Sequence, residues 1–350
     1  MKNEGTNNKE KKMKRSLQLI FAIVILLTAC SQLPSSITIN LGSPTNTAAP
    51  APTQVAPPTQ AQPIATVAPP TAAPFKPTVA QPTAASPTSA PKSNQPMVYI
   101  SGTTHIETNR QSWPNPEAFI NFLRQVTTAG MKWSVGADIG WLEGEARAGE
   151  IIKTTEAMGV EWDIHAHKTE DRPKNVVKIK NLGGKPNTVI SGLVLTELEQ
   201  MRSPFKLSDG GTWFGDILWG FTLRPDHSAG SEDTSTGLWK PKSSKEFYTH
   251  DPNGSIIMVG GGTRDLKGAE NLAKSNPKFA VTSATIMVNP VKLVVIDMDA
   301  KGGIGTDGIN EIKSFAERMS KLSNARFATI SQTAKAWVEA GSVVSGSQVK

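Results

Sequence analysis

Hydrophobic positions along this chain fall into three regimes. From residue 19 to 27 they run without a break, and from 31 to 96 they are sparse and aperiodic. From Met97 onward they alternate between short strand-like runs and stripes at helical spacing. The unbroken run is short for a membrane-spanning helix and follows a leader rich in Lys and Arg, which predicts a secretory signal over residues 1–29. In the third regime Met97-Val-Tyr-Ile-Ser101 predicts a strand. Asn115, Pro116 and Glu117 then supply a helix cap, a first-turn proline and an early carboxylate. Phe119, Ile120, Phe122, Leu123 and Val126 follow at helical spacing, and Gly130 ends the helix. Ala129-Gly-Met-Lys-Trp-Ser-Val135 and Met158-Gly-Val-Glu-Trp-Asp-Ile164 repeat one helix-end, glycine, strand phrase 29 residues apart, the length of one α/β unit. Further strands are predicted at 189–195, 255–259, 291–296 and 326–330, and helices at 307–322 and 331–340. This alternation predicts an α/β fold with parallel strands. Because no Gly-rich dinucleotide fingerprint follows the first strand, a (β/α)7-8 barrel is preferred over a doubly wound sheet.

The expected organisation is a signal over 1–29, a linker over 30–96, a barrel domain over 97–340 and a flexible tail over 341–350. In the linker, 15 of the 66 positions from 31 to 96 are proline, interleaved with Thr, Ala, Gln and Ser. Such a segment buries too little apolar area to offset its ordering entropy, so it is expected to be disordered and extended. At ~3.1 Å per residue its contour approaches ~200 Å. Leader and linker together carry +6 of the net charge of +7, which leaves the folded part near neutral. That argues against nucleic acid as a partner, since duplex binding needs a concentrated cationic face. Nucleotide is not expected either, because Gly260-Gly261-Gly262 lacks the Lys-Ser/Thr ending of a phosphate loop.

A single cysteine excludes an intrachain disulfide framework and a cysteine-ligated zinc site. It stands in Leu27-Thr28-Ala29-Cys30, which resembles the lipobox of bacterial lipoproteins. The resemblance implies lipidation of Cys30 and a membrane contact made through the acyl chains alone. The domain would then sit in the cell envelope, on the outer face of a bacterial membrane, extracellular or periplasmic. An ordinary signal peptide with an incidental cysteine is the alternative.

Three of five histidines fall at predicted C-terminal strand ends, the edge where α/β barrels place their chemistry: His105 after the first strand, His165 and His167 after the third. Side chains two apart share a face, so His105 and Glu107 point together, as do Glu161, Asp163, His165 and His167. Three imidazoles with a carboxylate or water make a common zinc arrangement, so a divalent metal, zinc first, is the expected cofactor. Glu107 is the first choice for a catalytic base or a fourth ligand. Asp163, one pleat below His165, would orient a ligand ring. A hydrogen-bonded rim without metal is the alternative for His-Ala-His. His227, in a polar insertion, is a candidate to protonate a leaving amine or stabilise an oxyanion. Asp297 and Asp299 are competing acid/base candidates, and His250-Asp-Pro-Asn-Gly254 reads as a turn. Trp113, Trp213, Trp219 and Trp239 lie in or near predicted loops, where indole faces would stack on sugar rings. Trp133 and Trp162 hold equivalent places in the repeated strands and read as core.

Three segments together resemble the polysaccharide deacetylase superfamily of glycoside hydrolase/deacetylase barrels. They are Gly159-Val-Glu-Trp-Asp-Ile-His165-Ala-His167, Leu293-Val-Val-Ile-Asp297 and Phe327-Ala-Thr-Ile-Ser-Gln-Thr-Ala-Lys-Ala-Trp337. Members of that family carry an Asp-Asp pair after the first strand and two histidines four residues apart on a later one. Here Thr103-Thr104-His105-Ile106-Glu107 and Thr169 occupy those places, and Asp297 replaces a late catalytic histidine. The resemblance implies a surface-tethered, metal-dependent hydrolase acting on acetylated carbohydrate or cell-envelope glycan, a deacetylase first. A glycan- or metal-binding lipoprotein without turnover is the rival. Glycosidic hydrolysis by Glu107 with Asp297 is a third possibility, since that chemistry needs two flanking carboxylates.

Overall fold

Residues 95–107, 113–222, 233, 235–263, 265–275, 277–289, 304–345 and 349 are described by the computed structural model. The expected signal, the linker with Cys30, His227, the 291–296 strand with Asp297, and Asp299 lie outside the described residues.

Strand β1 (Val98–Ile106) leads through α1 (Pro116–Thr128) to β2 (Trp133–Ala137). From there α2 (Ile139–Gly144) and α3 (Ala148–Glu156) lead to β3 (Glu161–His165), and α4 (Arg172–Asn181) to β4 (Pro186–Ser191). Next come β5 (Leu193–Val194), β6 (Phe205–Lys206), β7 (Thr212–Trp213), β8 (Ile217–Trp219), β9 (Phe221–Thr222), β10 (Leu238–Trp239) and β11 (Ile257–Val259). Finally α5 (Leu266–Lys274), β12 (Thr282–Met287), α6 (Gly305–Ser320), β13 (Ala325–Phe327) and α7 (Ile330–Glu339) complete the order. The main sheet runs β10-β11-β8-β4-β3-β2-β1-β12, with β13 also paired to β1. Its neighbours are parallel except for β10 and β11. Ser283 of β12 donates its N–H to the Thr236 carbonyl at 3.0 Å, just ahead of β10. The two ends of the path therefore meet, and the sheet is a nearly closed barrel, as the strand–helix alternation predicts.

Strand parity divides the residues between two environments. On β2 and β3, Trp133, Val135, Trp162 and Ile164 face outward and pack with Phe119, Phe122, Leu123, Ile151 and Ile152 of α1 and α3. Asn115 caps α1 by accepting from the N–H groups of Glu117 and Ala118, as its position before Pro116 predicts. The indole N–H groups of Trp133 and Trp162 reach Thr104 and Thr155, so both rings are buried without an unpaired donor. Inside the barrel, Val189, Ile217, Trp219, Ile257, Val259 and Val281 form a second cluster. Helix α7 adds Ile330, Ala334 and Trp337 to that cluster, and its Ser331 hydroxyl bonds Glu161, the first residue of β3. This helix closes the end of the barrel opposite the C-terminal strand edge.

Boundaries depart from expectation where strands are short. The 255–259 run is a strand over Ile257–Val259, and the 189–195 run breaks at Gly192 (φ 76°) into β4 and β5. Strand β12 was not expected, because its inward positions are Ser283 and Thr285 and its apolar signal is weak. The predicted turn after His250 is present, with Gly254 N–H on the Asp251 carbonyl.

Candidate metal centre

The C-terminal ends of β1 and β3 are separated by β2, and β2 brings them together by carrying glycine between them. A Cβ at Gly136 would stand 2.8 Å from the His165 Cβ, 2.9 Å from the His105 ring and 3.1 Å from Ser191 Oγ. Any larger residue there would displace the histidines. Into this gap β3 projects His165, whose Nδ1 meets Ser191 Oγ at 3.0 Å. That contact turns Nε2 toward the rim, where Glu107 and His167 stand just past the ends of their strands.

His165 Nε2 lies 3.6 Å and His167 Nε2 lies 3.4 Å from Glu107 Oε1. All three ligand atoms lie within 4.8 Å of one another. N–H···O hydrogen bonds span about 2.7–3.2 Å, so these separations are long for direct bonding. They match the edge of a tetrahedron with bonds of about 2.0–2.1 Å, which is about 3.3–3.4 Å. Two imidazole nitrogens and one carboxylate oxygen are also a zinc-type donor set. The residues present therefore fit a divalent ion of zinc size. The His165 side chain is 2% exposed, against 35% for His167 and 53% for Glu107, which leaves one side of the cluster open to solvent.

Charge in the cluster is arranged unevenly. His165 and then His167 hold the Glu107 carboxyl well below the usual carboxylate range, against the opposing effect of its partial burial. Burial lowers the pKa of His165, whereas Glu107 raises that of His167. Asp138, the N-cap of α2, accepts the Trp141 N–H at 3.0 Å, and its charge acts on both histidines. Burial thus disfavours the protonated form of His165, and a neutral imidazole is the form that can hold a cation.

The other expected site residues divide as follows. His105 is buried; its ring lies 4.1 Å from that of His165 and edge-on to Trp219 at 5.1 Å. It does not belong to the three-residue group whose ligand atoms converge. Asp163 does not orient a ligand ring: its Oδ1 accepts from Asn187 Nδ2 at 2.6 Å, and burial pushes its carboxyl up. Ser191 takes that place instead. Trp219 and Trp239, expected at loops, are buried on strands, with N–H groups on Thr285 Oγ1 (3.1 Å) and the Phe247 carbonyl (2.7 Å). Neither presents a face to a sugar. Trp213 is half-buried, packed near Phe205 and bonded to the Asn187 carbonyl. The loop tryptophan that reaches the site is Trp113, which donates to the Glu107 carbonyl at 2.9 Å.

Gly136, Asp138, Asn175 and Ser191 escaped the sequence reading. Gly136 and Ser191 carried a usable signal, since each stands in phase with the inward positions of its own strand, Ser134 and Val189. Asn175 donates from Nδ2 to the His165 and Ala137 carbonyls at 2.6 and 3.2 Å.

No family model matches the chain, and no curated protein matches it. Among solved structures, a probable polysaccharide deacetylase from Pseudomonas aeruginosa PAO1 aligns at 12% identity and a TM-score of 0.45, covering 69% of this chain and 91% of that one. A protein of the glycoside hydrolase/deacetylase kind from Parabacteroides distasonis aligns at 11% and 0.46, covering 71% and 73%. The peptidoglycan deacetylase PdaC of Bacillus subtilis aligns at 12% and 0.35, covering 71% and 95%. These neighbours carry deacetylase names.

Proposed function

We propose that the barrel is a divalent-metal-dependent hydrolase, with zinc as its metal, that removes acetyl groups from acetylated carbohydrate of the cell envelope. The observation that carries the metal reading is that His165 Nε2 and His167 Nε2 both stand near a tetrahedral-edge distance from Glu107 Oε1, in a group whose ligand atoms all lie within 4.8 Å of one another on the open side of the barrel. A zinc ion held there would lower the pKa of its water to about 7 and polarise an acyl carbonyl. Glu107, set between both imidazoles, serves as the carboxylate ligand, and the role of base passes to another group. Asp138 suits that role: one carboxylate oxygen is fixed by the Trp141 N–H, and its charge already acts on both histidines. With Nδ1–H donating to the Ser191 hydroxyl, His165 would present the Nε2 lone pair to the ion. The substrate class rests on the sequence resemblance of the His165-Ala-His167 and 327–337 segments. A separate resemblance, of Leu27-Thr28-Ala29-Cys30 to the lipobox of bacterial lipoproteins, supports a lipid anchor on Cys30 and a place outside the membrane.

Elemental analysis of the purified protein, with acetate release from acetylated chito-oligosaccharides and xylan, tests the proposal. Near-stoichiometric zinc and acetate release that His165→Ala abolishes are expected. Zinc without release from any acetylated glycan would leave a binding protein. A protein that takes up no divalent metal would defeat the reading outright.

A further inference from the structure

Helix α4 sends two fully buried polar side chains, Arg172 and Asn175, to the end of β3. Three apart on a helix, they lie on one face. Asn175 Nδ2 joins two neighbouring strand ends through the His165 carbonyl (2.6 Å) and the Ala137 carbonyl (3.2 Å). Arg172 Nη2 takes the next carbonyl along, Ala166 (3.1 Å), and Glu197 Oε2 (3.1 Å), while its Nη1 bonds Thr169 Oγ1 (2.9 Å). Thr169 in turn donates to Glu197 Oε1 at 2.8 Å, and Glu197 Oε2 accepts the Val194 N–H at 3.1 Å. The two carbonyls within His165-Ala166-His167 are therefore both gripped from one helix. The stretch that follows is locked to the segment after β5.

Stability alone does not account for this arrangement. A buried Arg–Glu pair loses much of its attraction to desolvation, and apolar groups of similar size often serve as well. What the network does fix is the peptide geometry between two imidazoles whose separation decides whether a cation fits.

We infer that Arg172 and Asn175 are positioning residues for the metal centre, setting the spacing of His165 and His167 through their backbone. The inference rests on the metal reading above. Replacing partners that orient ligands costs about 10–100-fold in metal affinity. The test is a Co²⁺ titration of the full mature chain, followed by ligand-field absorption, with thermal unfolding of the metal-free protein alongside. Asn175→Leu removes the amide donor at similar volume. The double change Arg172→Met with Glu197→Leu replaces the ion pair by apolar groups and serves should Asn175→Leu fail to fold. Weaker Co²⁺ binding by tenfold or more, with an altered ligand-field band in a folded protein, is the expected result. Parental affinity and band shape in a folded variant, whatever its melting temperature, would reduce the network to a structural brace and overturn the inference. A parent that binds no Co²⁺ removes the metal reading and this inference together, which distinguishes the two failures.

Discussion

The barrel interior has two unlike halves. On the side of β4, β8 and β11 it is lined by Val189, Ile217, Trp219, Ile257 and Val259, packed as a conventional core. On the side of β1, β2 and β3 it is lined by Ser101, Thr103, His105, Ser134, Gly136, Asp163 and His165, all buried except for the glycine's lack of a side chain to bury. Thr103 Oγ1, Ser134 Oγ and Asp163 Oδ2 have no hydrogen-bond partner there among the described residues. Unpaired buried polar atoms cost about 1–3 kcal/mol each, so the polar half is held in place by its apolar counterpart and by the helix layer outside. One half supplies cohesion, and the other is free to carry chemistry.

Substitutions on either side should separate these roles. The largest stability loss is expected in the apolar half: Ile217→Ala should cost roughly 2–5 kcal/mol in denaturant unfolding and leave Co²⁺ affinity within about twofold. A large drop in affinity would show that the halves are coupled. Gly136→Ala should cost less stability, about 1–3 kcal/mol from overpacking, yet weaken Co²⁺ binding most, because the added carbon meets the Cβ of His165 itself. Retained affinity would mean that β2 can shift without disturbing the histidines. Ser191→Ala should cost about 1 kcal/mol and roughly tenfold in affinity, by freeing the His165 ring. Thr103→Val, which deletes a hydroxyl with no partner among the described residues at nearly constant volume, should raise the melting temperature by a few degrees. A lower melting temperature would mean that this hydroxyl is satisfied in solution.

Much of the apolar architecture was legible because its signals are local. Asn115-Pro116 starts α1, the repeated glycine–tryptophan phrase marks β2 and β3, and the stripe from Ile309 to Met319 marks α6. The site was legible in part. Parity placed His105 and Glu107 on one face, but parity carries no information about depth. Strand β1 ends at Ile106, so Glu107 stands at the rim with His167 while His105 stays inside against Trp219. Trp219 and Trp239 were misplaced because β8 and β10 span three and two residues, too few to show a period. Helix α4, Arg-Pro-Lys-Asn-Val-Val-Lys-Ile-Lys-Asn, buries only Val176 and Ile179 as apolar positions, too short a stripe to announce a helix, and nothing local marks its buried Arg172 and Asn175.

The stopper formed by α7 also governs traffic. With Ile330, Ala334 and Trp337 filling the far end among the described residues, the C-terminal rim is the doorway left to His165. Under the proposed function, a long polymer would lie across that threshold and dip a single pendant group inward at a time, and whatever is cut loose would leave before the next group enters.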